Sequence, residues 1–268
     1  MSKQKKEKPV FGTKEWARYN ENCIAGCAND CRYCYAKSMA IRFGRKTPDT
    51  WGSEVIDTKK LTKRFNKRDG RIMFPTTHDI TPNNLNVIMT FLENILKAGN
   101  EVLIVSKPHP DCIEDITRRF VEFREQIMFR FTIGSCNNDV LRFWDQNAPG
   151  FEERLASLSY AFGAGFKTSV SCEPLLDNQA DGLISMLYPY VNDAIWIGKA
   201  NKLTSRLKIN GHDDPETIRK AEALIESQSD DYIMDLYERH KSDTRIKWKD
   251  SVKKVVGIYM PVISGLDI

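Results

Sequence analysis

Apolar residues along this chain change their spacing in a regular way, and the changes mark out alternating elements. Leu85, Ile88, Met89, Leu92, Ile95 and Leu96 recur at helical steps, which predicts a helix from Leu85 to Lys97 stopped by Gly99. Short continuous apolar runs lie on either side: Arg71 to Pro75, Val102 to Val105, Met128 to Ile133, Phe166 to Ser171 and Asp193 to Ile197. These read as buried strands. Between them, Asp111 to Phe123, Glu152 to Phe162 and Ala180 to Leu187 have helical character, the second closed by Gly163 and Gly165. Tyr33 to Phe43, closed by Gly44, is a further helix, and Pro48 to Gly70 is a charged connector holding a short one. Strands alternating with helices imply parallel βαβ units of one hand. With one more strand just ahead of Cys23, the pattern predicts an α/β fold, a parallel (β/α)6-type partial TIM barrel. Two helical stretches (Ile218 to Ile225, Tyr232 to His240) and the apolar Val255 to Val262 form its C-terminal helical extension.

Composition narrows the class. Hydrophobic residues make up 41% of the 268 positions and aromatics 10%, enough for a sizeable core. No linker or internal repeat interrupts residues 16 to 268, which are expected to form one domain, whereas the basic residues 1 to 15 read as a disordered tail. The tail has no apolar h-region of a secretory signal, and no run of about 18 apolar residues predicts a membrane span. A cytoplasmic location is inferred. The net charge of +4, from 40 basic and 36 acidic side chains, is too even to demand a nucleic-acid partner and does not exclude one. A basic stretch (Lys59, Lys60, Lys63, Arg64, Lys67, Arg68 and Arg71) would suit a phosphate backbone or serve as a solvated helix face.

The cysteines sharpen the picture. Four of the seven, Cys23, Cys27, Cys31 and Cys34, crowd into one short segment. Such crowding in a chain of this length points to a metal or an iron–sulfur cluster rather than a disulfide scaffold. Four thiols admit a closed zinc site or a fully ligated electron-transfer cluster, in a non-catalytic protein that binds a nucleic acid or another protein. Zinc sites normally pair two short cysteine hooks across a longer loop, whereas here all four lie together. Cys27, Cys31 and Cys34 alone form C-x3-C-x2-C, with Tyr33 directly before the last cysteine, and Cys23 is taken as a non-ligand.

That triad resembles the signature of the radical S-adenosylmethionine superfamily. The form Gly26-Cys-x3-Cys-x-Tyr-Cys-Tyr-Ala36 resembles its spore photoproduct lyase-like branch. So do Asp145-Gln-Asn-Ala-Pro-Gly-Phe-Glu-Glu-Arg154-Leu, Ala164-Gly165-Phe166 and Glu173-Pro174-Leu175. The resemblance implies that Cys27, Cys31 and Cys34 hold a [4Fe-4S] cluster whose fourth iron binds S-adenosylmethionine. It implies reductive cleavage to a 5′-deoxyadenosyl radical, which abstracts hydrogen from a substrate such as a nucleic-acid base or lesion, and an external electron donor of flavodoxin or ferredoxin type. One departure stands out. The branch carries Thr-Asp-Pro-Tyr-Gln-Pro after its second strand, and this chain has Thr77-His78-Asp79-Ile80-Thr81-Pro82. The Tyr and Gln are missing, so the resemblance does not carry over the substrate.

In such folds the chemistry sits at the carboxyl ends of the strands. Thr76, Thr77 and Asp79 stand where the superfamily binds the amino end of S-adenosylmethionine, and equally where a helix cap would precede Pro82. Arg154 matches a position that clamps the methionine carboxylate, or is a solvated arginine on a helix. Ser135 and Asn137 are candidates for the ribose hydroxyls, Ile197 and Gly198 for backbone contacts to adenine, and Tyr33 and Tyr35 for the cofactor's surroundings. Each also has a plain packing role. Cys136 and Cys172 are candidates for a hydrogen donor or radical relay, against inert packing, which Cys112 on a helix fits better. Lys107, His78 and Glu173 sit at the same level as candidate substrate contacts.

Overall fold

The structure, a computed structural model, describes residues 8–268; the first seven residues of the expected tail lie outside it. A turn of 3-10 helix, Gly12–Glu15, leads into β1 (Tyr19–Asn20). The cysteine loop follows, anchored by β2 (Ile24–Ala25) lying antiparallel to β3 (Val55–Ile56). Between them runs α1 (Tyr35–Arg42), which starts two residues later than the spacing suggests because Cys34 is its cap. After α2 (Thr58–Leu61) the alternation becomes regular: β4 (Ile72–Met73), α3 (Leu85–Lys97), β5 (Val102–Ser106), α4 (Pro110–Arg119), β6 (Ile127–Thr132). Then come α5 (Asn138–Trp144), α6 (Phe151–Gly163), β7 (Lys167–Cys172), α7 (Ala180–Leu187) and β8 (Ile195–Ile197). The chain ends with α8 (Leu203–Asn210), α9 (Pro215–Ser227), α10 (Asp230–His240), β9 (Ile246–Trp248) and α11 (Asp250–Val256).

The strands β1-β4-β5-β6-β7-β8-β9 form one parallel sheet in that order, a partial barrel. The apolar pattern predicts six strands, and the sheet has seven. The seventh, β9, lies inside the stretch expected to be a helical extension. The helix expected from Asp111 to Phe123 ends at Arg119 and gives way to a 3-10 turn, Val121–Gln126. Of the apolar Val255 to Val262, only the first two residues are helical. Among the described residues no helix is long and apolar enough to cross a membrane.

Strand alternation separates two cores. Ile127, Phe129 and Phe131 of β6 face the helices with Val102 and Ile104 of β5. Leu103 and Met128 face the barrel interior, where they meet Met73, Trp16 and Trp196. That interior also holds charge. The fully buried Arg130 lies over both Trp16 and Trp196, 4.9 and 5.3 Å from the ring centroids, and pairs with Asp267 at 2.8 Å.

The described part of the expected tail is ordered. Val10 donates to the Pro261 carbonyl at 2.8 Å, Gly265 to Lys14 at 2.8 Å and Asp267 to Glu15 at 2.9 Å, so the two end segments run side by side. Glu15 is buried with its carboxylate 2.8 Å from Lys249 and 3.6 Å from Lys253. Basic composition suggests a solvated tail, but Glu15 of this segment is buried against Lys249 and Lys253.

Candidate active site

The carboxyl ends of the strands open into a cavity of about 700 Å³ lined by Cys27, Cys31 and Cys34. Gly26 shapes the loop that brings them there. At φ +101° it adopts a backbone conformation that side-chain-bearing residues avoid, and a Cβ would lie 2.6 Å from the Ser53 carbonyl and 2.7 Å from that of Trp51. The next residue, Cys27, donates its N–H to the same Trp51 carbonyl at 3.1 Å.

Two of the three sulfurs accept backbone hydrogen bonds. The N–H of Asp79 points at Cys27 Sγ and that of Lys37 at Cys34 Sγ, each at 3.4 Å. Burial pushes all three thiols up from their ordinary pKa; at Cys31 Lys107 opposes it, and at Cys27 and Cys34 the N–H groups do. Backbone N–H groups aimed at sulfur are what a thiolate bound to iron requires, so the donor set fits a cluster. Cys23 stands apart: it is fully buried in the helix-side core, does not line the cavity, and burial raises its thiol to about 12.

Asp79 and Lys107 form the floor beside the cysteines. Asp79 accepts from the Lys107 N–H at 2.8 Å, Ser106 Oγ at 3.1 Å and Asn29 Nδ2 at 2.9 Å, with Lys107 Nζ at 3.7 Å. Burial alone would raise its pKa, but Lys107 and these hydrogen bonds bring it below the usual value. Lys107 is buried too, a cost outweighed above all by the Asp79 carboxylate beside it, which holds its ammonium charged. Thr76 and Thr77 line the cavity, both backbone N–H groups donating to Asn22 Oδ1 at 2.7 and 2.9 Å. Tyr35 closes this edge with its hydroxyl on the Thr76 carbonyl at 2.6 Å. His78 also faces the cavity; its Nδ1 lies 3.2 Å from the Asp79 carbonyl, and burial lowers its pKa to about 4, so it is neutral near pH 7.

Other candidates are placed elsewhere. Arg154 is fully buried and spent on the fold: Nε donates to the Pro149 carbonyl at 2.8 Å, and Nη2 sits 2.9 Å from Asp145 as a charge contact without an aligned hydrogen bond. Asp145 also accepts from the Tyr33 hydroxyl at 2.5 Å. Tyr33, Asp145 and Arg154 thus form one buried chain linking the cysteine loop to α6, while the Tyr33 ring still lines the cavity. Ser135 donates to Asp177, and Asn137 caps α5 through the N–H groups of Asp139 and Val140; neither lines the cavity. Ile197, Gly198, Cys136 and Cys172 do not line it either. Gly198 is there for packing, since a Cβ would come within 2.8 Å of Glu173 Cγ. Cys172 is fully buried and its thiol raised by burial, which suits inert packing; Cys112 is buried on α4.

The basic stretch is largely spent near β1. Lys63 and Arg68 pair with Glu21, Lys60 donates to the Asn22 carbonyl and Arg71 pairs with Asp267. None of its seven residues lines the cavity. Several site residues escape the sequence pattern, Asn29, Trp51 and Lys202 among them. Asn22, just before the cysteines, is one isolated polar residue, and Arg206 sits on α8, a helix the spacing does not reveal.

Comparison with known proteins fits this geometry. No family model matches the chain. An uncharacterized protein of Methanocaldococcus jannaschii is 24% identical over 201 residues, 71% of this chain and 74% of the relative. Spore photoproduct lyase, in a cysteine-to-alanine mutant, superposes with a TM-score of 0.56 at 14% identity, covering 91% of this chain and 79% of that one. The chain has the spore photoproduct lyase fold. A spore photoproduct lyase structure with bound S-adenosylmethionine and dinucleoside spore photoproduct gives a TM-score of 0.55 at 14% identity, with the same coverage. At such identity the shared fold, a partial barrel of parallel strands, is what carries across.

Proposed function

We propose that this protein is a radical S-adenosylmethionine enzyme, with a [4Fe-4S] cluster on Cys27, Cys31 and Cys34 and S-adenosylmethionine beside it. One observation carries this reading: three cysteines share one cavity with backbone N–H groups directed at two of their sulfurs, while the fourth stays in the core. A cluster held by Cys27, Cys31 and Cys34 would supply the electron for reductive cleavage of S-adenosylmethionine and so for hydrogen abstraction from the substrate.

The chain's own residues position and shield. Asp79, held by Asn29, Ser106 and the Lys107 N–H, is a fixed anion for the cofactor's ammonium group. Lys107, charged and buried between Asp79 and Cys31, offers a cation for its carboxylate, the role that the pairing of Arg154 with Asp145 takes from Arg154. Tyr35, pinned to Thr76, and Trp51 at the loop's back form walls that keep water from a reactive carbon. The electron comes from an external carrier of flavodoxin or ferredoxin type. A nucleic-acid substrate draws no support from the basic stretch, whose cations mostly serve the fold.

The four-cysteine zinc alternative is disfavoured. Cys23 is buried in the helix-side core and does not line the cavity that Cys27, Cys31 and Cys34 share. The deciding experiment is anaerobic reconstitution with iron and sulfide, then dithionite and S-adenosylmethionine. We expect 5′-deoxyadenosine from the wild type and from Cys23→Ala, and none from Cys27→Ala, Cys31→Ala or Cys34→Ala. Zinc-loaded protein that yields no 5′-deoxyadenosine would overturn the reading.

A further inference from the structure

The wall of the cavity at α8 carries charges that are not balanced. Five cations line the whole cavity, and three have carboxylate partners: Lys107 on Asp79, Lys199 on Asp230 at 2.9 Å and Lys254 on Asp250 at 2.7 Å. Glu173, a further carboxylate of the cavity, leans on Lys249 at 3.5 Å. Lys202 and Arg206 are left over. Neither side chain makes an ion pair or hydrogen bond among the described residues. Lys202 is the residue just before α8 and Arg206 lies in its first turn, and both line the cavity. Asn201 adds an amide on the same cavity wall.

Arg206 is the informative member. Half-buried, it feels Glu173, Cys34 and Tyr35 without contacting them, and desolvation lowers its pKa. A guanidinium withdrawn from water and left without a counter-charge is costly unless a ligand provides one. A single carboxylate would neutralise one of the two free cations, whereas a phosphate monoester brings close to two negative charges and matches both. The guanidinium fork also suits phosphate oxygens.

We propose that Arg206 and Lys202 bind a phosphate group of the substrate at the β8–α8 side of the cavity. The substrate is therefore a phosphorylated molecule, its phosphate held on α8 and the rest of it reaching toward the cysteines. This rests on the reading above for the reaction, but not for the anion site. The rival source of negative charge is the methionyl carboxylate of S-adenosylmethionine, because Arg206 lies near Cys34.

Isothermal titration calorimetry on the full chain, reconstituted anaerobically with its cluster, separates the two, with inorganic phosphate as one probe and S-adenosylmethionine as the other. We expect saturable phosphate binding that weakens about ten-fold or more in Arg206→Gln, partly recovers in Arg206→Lys, and weakens several-fold in Lys202→Gln. S-adenosylmethionine affinity should stay within about two-fold of wild type in these variants. Lys202 is exposed, so its variant keeps the fold even should Arg206→Gln perturb it. The proposal is overturned by phosphate that does not saturate, by phosphate affinity unchanged in both glutamine variants, or by Arg206→Gln weakening S-adenosylmethionine instead. Absence of 5′-deoxyadenosine from the wild type would sink the reaction and leave the phosphate result standing by itself.

Discussion

At the scale of single residues, the buried polar groups decide most. Asp145 answers two neighbours at once, the Tyr33 hydroxyl and the Arg154 guanidinium. Asp145→Ala would strand a fully buried arginine, and we expect a loss of about 3–5 kcal/mol in urea unfolding. The double variant Asp145→Leu with Arg154→Met should lose distinctly less, because no unpaired charge remains. His78 predicts a pH effect. Its pKa falls from 6.5 to about 4 on folding because burial penalises the charged ring. The unfolded chain therefore binds the extra proton first as pH drops. The favourable difference is whole above pH 6.5 and is lost progressively toward pH 4, by about 3 kcal/mol in all. Urea midpoints of wild type and His78→Gln should differ in slope over that window and run parallel above it. The cysteines of the sequence resemblance were readable because their spacing is chemically distinctive; that Tyr33 joins Asp145 and Arg154 in one buried chain was not, since 112 positions separate Tyr33 from Asp145.

Among the elements, legibility followed burial pattern. α3 and α7 bury one clean stripe and begin and end where the apolar spacing puts them. α8 buries only Leu203, Leu207 and Asn210, and starts from Lys202 at φ +55° with no capping side chain, so nothing in its sequence announces it. β9 is three residues long, and its middle one, Lys247, turns toward the Trp196 ring, breaking the apolar run that marks the other strands. Yet α8 grips the cysteine loop. Asn210 donates to the Arg32 and Cys34 carbonyls at 2.8 and 3.0 Å and accepts from Ser38 at 2.8 Å. Asn210→Ala would leave these groups unpaired, costing about 1–3 kcal/mol. We expect reconstituted Asn210→Ala to lose its iron–sulfur absorbance faster than wild type under a chelator; equal loss would show that α8 does not support the loop.

Over the whole molecule, the partial barrel is closed by chain rather than by strands. Residues 10–15 and 261–267 lie together, with Glu15 on Lys249 and Asp267 on Arg130 and Arg71. Removing residues 263–268 should destabilise the protein by about 3–5 kcal/mol, since Arg130 would keep its burial and lose its nearest carboxylate. Arg130→Met in the same truncated chain should recover part of that loss, as read from thermal midpoints.

Arg130 and Asp267 are 137 positions apart, and Asp193, 63 positions from Arg130, adds a second carboxylate at 3.2 Å. The charge inside the barrel therefore meets its nearest partner only when β6 and residues 263–268 are both in place.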